Sequence, residues 1–160
     1  MAIATVASSV PMVFAQTESS DSILTSDIIE IDRENGYASG FATGTTAETL
    51  AGAFSGSNGG EVMIVDENGD ALASNAIVGT GAQVQLVVDG TVVDELTLIL
   101  YGDVNGDGNL TIVDLTTIKS QILGRTDLSG AYLTAANYNQ DDRINVLDLL
   151  LSKLEILNSI

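Results

Sequence analysis

Two stretches of the chain carry oxygen donors at a spacing that could enclose a metal ion. The first presents Asp103, Asn105, Asp107, Asn109, Thr111 and Asp114; the second, displaced by 34 residues, presents Asn137, Asn139, Asp141, Arg143, Asn145 and Asp148. A cation of calcium's size takes about six to eight oxygens, and a twelve-residue loop delivers them from positions 1, 3, 5, 7, 9 and 12, with position 7 acting through its backbone carbonyl. Read this way, Asn109 and Arg143 contribute carbonyls and the other ten residues side chains. Gly108 stands at position 6, where the chain must turn sharply around the ion. The second loop has the weaker donor set: Asn137 replaces Asp at position 1, two carboxylates stand where the first loop has three, and Asp142 at position 6 must accept a left-handed conformation that favours Gly. Leu110 and Ile144, both at position 8, are expected to pair their backbones across the two loops. Magnesium is the poorer match, because it prefers to keep several waters.

Composition narrows the chemistry further. The 160 residues include 22 Asp or Glu against 5 Lys or Arg, a formal net charge of −17, with no Cys and no His. That excludes disulfides, thiolate or imidazole zinc sites, and catalytic triads built on histidine. Nucleic acid is excluded as a partner, since its phosphates need basic side chains to neutralise them. The chain is nevertheless 45% apolar, with a mean hydropathy of +0.30, which is too hydrophobic for a disordered acidic tail. From residue 101 to residue 160 there are eight acids and four bases, so two calcium ions would bring that part near neutrality and couple its folding to the metal.

The elements around the loops must hold them. Glu95 to Tyr101, directly before the first loop, is β-like and too short for the entering helix of a regulatory EF-hand. Helices follow instead: Ile112 to Leu123, ended by Gly124 and burying Leu115, Ile118 and Ile122, and Val146 to Leu157, burying Leu149 and Ile156. Leu128 to Ala136 offers a short connecting helix. The second helix carries Leu147, Leu149, Leu150, Leu151, Leu154, Ile156 and Leu157, more than one apolar stripe, whereas the first has Thr116, Thr117 and Ser120 at corresponding places. The surplus face, Leu147, Leu150, Leu151 and Leu154, must be covered by a partner, by the upstream module, or by ordinary packing within the chain.

Upstream, from Ile23, the pattern is one of short strands: Asp27 to Ile31, Gly36 to Phe41, Glu61 to Asp66, Ala71 to Ser74, Gln83 to Val88 and Thr91 to Tyr101. Asn68-Gly69 and Asp89-Gly90 read as hairpin turns, and Thr45 with Glu48 as a capping box opening a helix through Leu50 and Phe54. Asp66 and Asp70 flank a turn, so they are read as turn residues and not as an acid and base pair. The fold class is therefore α+β: a small β-rich module over 23–100, then an all-α domain of two calcium loop-helix repeats over 101–160. Residues 1–15 end in Val13-Phe14-Ala15, a small-residue cleavage pattern, and are read as a signal peptide cut before Gln16, with a buried first strand as the alternative; residues 16–22 read as a linker.

The GDVNGDG opening at 102–108, the half-motif 34 residues later, the helix after each loop and Asp at position 12 resemble the dockerin family. The resemblance covers residues 101–160. It implies calcium-dependent binding to a cohesin on a scaffoldin or cell-surface protein of a polysaccharide-degrading complex of cellulosome or amylosome type. It further implies a non-catalytic, secreted protein that is monomeric until it meets its cohesin. The family's contact positions fall on Ile112, Val113, Lys119, Ser120 and Gly124 in the first unit, and on Val146, Leu147, Lys153, Leu154 and Asn158 in the second. The aliphatic pairs Ile112-Val113 and Val146-Leu147 imply an apolar patch on the cohesin. Residues 23–100 resemble the small X-type modules that precede dockerins in ruminococcal proteins. The competing function is a secreted calcium-binding module, sensor, buffer or structural, with no cohesin partner.

Overall fold

The computed structural model describes residues 22–159, so the expected signal peptide, and the expected linker up to Asp21, lie outside the described residues. The chain forms β1 (Leu24–Thr25), β2 (Glu30–Asp32), β3 (Tyr37–Ser39), α1 (Ala47–Ala51), β4 (Ser55–Gly56), β5 (Glu61–Val65), β6 (Gln83–Val88), β7 (Thr91–Ile99), α2 (Ile112–Ile122), α3 (Gly130–Ala136) and α4 (Val146–Asn158). A sheet module followed by a helical region is the architecture that the sequence predicts.

The main sheet has strand order β2-β3-β7-β6-β5. β7 lies between β3, to which it runs parallel, and β6, to which it runs antiparallel. Alternation selects the buried face: Val84 and Leu86 on β6 and Leu96 and Leu98 on β7 are buried, joining Ile64, Leu50, Phe54 and Val78 in one apolar cluster. Asp89-Gly90 makes the expected turn between β6 and β7, both residues having positive φ and Val88 pairing with Thr91. β1 and β4, two residues each, form a separate ribbon.

Local competition moved several boundaries. α1 is capped by Thr46, whose hydroxyl accepts from the Thr49 N–H, and not by Thr45, whose hydroxyl donates to the Ala42 carbonyl. The helix stops at Ala51, before Phe54. Ala71 to Ser74 is not a strand: beyond a single bridge from Ala71 to Val65, the carbonyls of Ser74 and Ala76 accept the N–H groups of Glu48 and Ala47. Those are first-turn donors of α1 that need acceptors, so the segment serves the helix end and not the sheet. Asp66 takes the turn role expected of it, accepting from the N–H groups of Asn68 and Asp70.

The helical region shares its core with the sheet. Ile99 from β7 is buried with Val104, Ile118, Ala135 and Ala136, and Tyr37 from β3 packs against the same cluster. α2 ends in a full Schellman motif at Gly124, whose φ is +65°: the Arg125 N–H reaches the Ser120 carbonyl at 2.9 Å and the Gly124 N–H the Gln121 carbonyl at 3.0 Å. α3 packs on β7, and α2 packs on α4.

Candidate metal centre

Only three residues separate Ile99, the last paired residue of β7, from Asp103 at the start of the first loop, so a strand stands where an EF-hand would have a helix. Asp103 is fully buried, and backbone N–H groups aim at its carboxylate from both sides: Gly106 at 2.8 Å to Oδ1, Gly108 at 3.1 Å and Thr80 at 2.9 Å to Oδ2. The pattern repeats along the loop. Asn105 Oδ1 accepts from Asp107 N, Asp107 Oδ1 from Asn109 N, and Thr111 Oγ1 from Val113 N, so each side-chain oxygen is fixed by the backbone just ahead of it. At the exit Asp114 closes a capping box with Thr111 while its Oδ1 accepts from Val104 N.

This arrangement gathers charge. Asp103 and Asp114 are both fully buried, and no basic side chain among the described residues forms an ion pair with either; the ion pair found is Arg33 with Asp94, in the sheet module. Burial pushes the Asp103 carboxyl above its usual range, against the N–H groups of Thr80, Gly108 and Gly106, which pull it down, while the Asp114 charge pushes it further up. Two desolvated carboxylates in one loop demand a counter-charge, and a hard cation is the species that oxygen donors accept. Among the described residues no three acidic side chains are gathered closely enough to hold an ion unaided. The donor set is mixed, with Asn105, the Asn109 carbonyl and Thr111 completing it. These residues fit calcium.

The second loop is entered by α3 and left by α4. Asp148 repeats the role of Asp114: fully buried, it closes a capping box with Asn145, and its Oδ1 accepts from the Asn139 N–H. The Asn139-Asp141 and Asp141-Arg143 turns match those of the first loop. Position 1 differs. Asn137 donates through Nδ2 to the Asp141 carbonyl, while its Oδ1 is buried with no hydrogen-bond partner. An orphaned oxygen costs on the order of 1–3 kcal/mol and is the group that a cation would satisfy. The left-handed residue is Gln140 at position 4 (φ 56°), matching Gly106 (φ 77°), and Asp142 does not adopt the expected positive φ. With a Cβ at position 6 the chain keeps the ordinary conformation there, so the second loop lacks the Gly108-type contact to its position-1 side chain.

Leu110 and Ile144 are not joined by a backbone bridge among the described residues. The Leu110 N–H points instead to the Thr43 hydroxyl, 3.3 Å away in the sheet module. That hydroxyl in turn lies 3.1 Å from the Gly108 carbonyl.

Of the expected partner residues, Ile112 and Val146 are the most exposed large apolar side chains of the helical region, at 72% and 68%, and Val113 and Leu147 are also exposed. Leu147, Leu150, Leu154 and Leu157 form one stripe along α4, each between 45% and 56% exposed, so the sheet module does not cover it. Leu151 is half-buried and flanks that stripe, one turn beyond Leu147. On α2 the corresponding stripe reads Val113, Thr116, Ser120 and Leu123, and the Thr116 and Ser120 hydroxyls donate to carbonyls of their own helix. Lys119 and Lys153 are exposed. Ser152, at the place of Ile118 in α2, is buried with its hydroxyl unpaired. Ser152→Ala is therefore expected to raise the unfolding free energy by about 1 kcal/mol, read as a shift of the chemical denaturation midpoint at constant slope.

Taken together, the paired units define a domain of two oxygen-rich loops, each leading into a helix that offers apolar side chains to solvent. Residues 101–157 match the family model of the dockerin type I domain. A dockerin type I domain implies a cohesin partner and an assembly module of a cellulosome-type complex, and dockerin domains typically bind calcium. No curated protein and no solved structure matches the chain. No catalytic domain is identified beside the dockerin and the sheet module, and no helix among the described residues is long and apolar enough to cross a membrane.

Proposed function

We propose that this chain is a non-catalytic, secreted adaptor that carries two calcium ions in its dockerin and docks on a cohesin through the exposed face of α4. In this reading Asp103, Asn105, Asp107, the Asn109 carbonyl, Thr111 and Asp114 hold the first ion. Asn137, Asn139, Asp141, the Arg143 carbonyl, Asn145 and Asp148 hold the second, more weakly. The observation that carries it is the burial of Asp103, Asp114 and Asp148, none of which forms an ion pair with a cationic side chain among the described residues. Bound calcium neutralises these carboxylates; the residues themselves fix the starts of α2 and α4, and so the orientation of the docking face.

The proposed organisation is a signal segment over 1–15, a linker over 16–22, an X-type module of ruminococcal kind over 23–100 and the dockerin over 101–160. Val146, Leu147, Leu150 and Leu154 would form the apolar centre of the cohesin interface, with Lys153 at its rim. Leu151, half-buried, lies at the edge of that face. Ile112, Val113, Lys119 and Ser120 on α2 form a second, less apolar face. A calcium sensor without a cohesin partner would need a long helix entering each loop, and a strand enters the first.

Calorimetric titration of the chelated chain with calcium is expected to give two unequal binding events, the tighter at the first loop. Capture on an immobilised cohesin panel is expected to be abolished by EDTA. Calcium binding without capture by any cohesin would move the function to a calcium-stabilised module with another partner, and absence of calcium binding would overturn the proposal at its base.

A further inference from the structure

Two segments of the sheet module grip the first loop from outside. Thr80 donates its N–H to Asp103 Oδ2 at 2.9 Å, and Gly44 donates its N–H to the Gly108 carbonyl at 2.9 Å. The Thr43 hydroxyl sits between the Gly108 carbonyl and the Leu110 N–H. The approach is backbone on backbone: a Cβ added to Gly79 would stand 2.2 Å from the Gly106 oxygen and 2.6 Å from the Gly108 nitrogen, and one added to Gly108 would stand 2.5 Å from Ile77 Cγ2. Among the described residues, no hydrogen bond of the second loop's donor residues reaches the sheet module.

We propose that the sheet module is a working part of the first calcium site, with the Gly79-Thr80 and Thr43-Gly44 segments setting that site's affinity. The inference rests on the calcium reading above. Thr80 supplies a dipole that steadies the buried Asp103 carboxylate in its ligating orientation, a role that outer groups around metal ligands commonly fill. The Thr43-Gly44 clamp fixes the carbonyl side of the turn at Gly108, so less chain disorder is lost when an ion is bound. Coupling of this kind is reciprocal: whatever the sheet contributes to calcium affinity, calcium returns as sheet stability.

The test uses the full chain and calcium chloride. With the second loop silenced by Asp141→Ala, titration calorimetry reads the first loop alone. There Gly79→Ala, which wedges a methyl between the two backbones, is expected to weaken calcium binding about tenfold or more, and Thr43→Val about threefold. With the first loop silenced by Asp107→Ala, neither change should alter the remaining site. In the unmutated chain calcium should slow amide exchange in β6 and β7. Unchanged first-loop affinity in both variants overturns the inference while leaving the calcium reading intact. Should Gly79→Ala fail to fold, Thr43→Val decides, because Thr43 is exposed and its replacement removes a hydroxyl without adding bulk. A first loop that takes up no calcium in the Asp141→Ala chain overturns the calcium reading, and this inference with it.

Discussion

Asp103→Asn is expected to lower the melting temperature far more in calcium than in EDTA. The substitution keeps the shape of the side chain but places an amide where Gly106, Gly108 and Thr80 all direct N–H groups, so some stability is lost in either medium. What separates the two media is ligand linkage. With calcium about a thousandfold above the native dissociation constant an occupied site is worth about 4 kcal/mol, and a site weakened about 100-fold keeps about 1.4, so about 2.7 kcal/mol is lost in calcium and none of it in chelator. First-loop affinity itself should fall about 100-fold or more, since a carboxylate at position 1 is replaced by a neutral donor. Thermal denaturation of both proteins in both media measures the difference directly. Equal losses with and without calcium would show that Asp103 is an acceptor for the loop backbone and nothing more.

Charge introduced on α4 should abolish cohesin binding, whereas the same change on α2 should be tolerated. Leu150 and Leu154 lie in the exposed stripe, and each would contribute about 1.5–3 kcal/mol if fully covered by a partner. Leu150→Glu or Leu154→Glu replaces that gain with the cost of burying a carboxylate, so a loss of about 100-fold or more is expected in a surface titration against the cohesin. Thr116→Glu and Ser120→Glu, 34 residues earlier, break only hydroxyl bonds to the helix's own carbonyls and should change affinity by about threefold or less. The α4 leucines are exposed, so melting temperatures in calcium should stay close to that of the unaltered chain. Comparable losses from both helices would mean that either face can dock; loss from α2 alone would reverse the assignment.

What could be read from the sequence was whatever is decided within a dozen residues. The Gly124 terminus and the Asp89-Gly90 turn depend on near neighbours, and each stands where its pattern puts it. Thr45 and Thr46 were separable only by knowing that the Ala42 carbonyl takes the first hydroxyl. β1 and β4 are too short to carry a period. Asp142 was expected to bend the second loop, but the left-handed turn falls two residues earlier, at Gln140. The largest omission was the grip of the sheet on the first loop. Thr43 lies 67 residues from Leu110 in the chain and Thr80 lies 23 from Asp103, and no local pattern marks either as a partner. The close approach shows only in the structure, where a Cβ on Gly79 would stand 2.2 Å from the Gly106 oxygen.

The placement of β7 has a mechanical consequence. This strand has a partner on each side and runs almost directly into the first loop. A pull applied to a docked cohesin would therefore reach the sheet along the axis of β7, loading the β3 and β6 ladders in shear, with many bonds sharing the strain at once instead of parting one after another. A protein tethered through its dockerin would gain from such a load path, in which tension enters at the middle of the sheet.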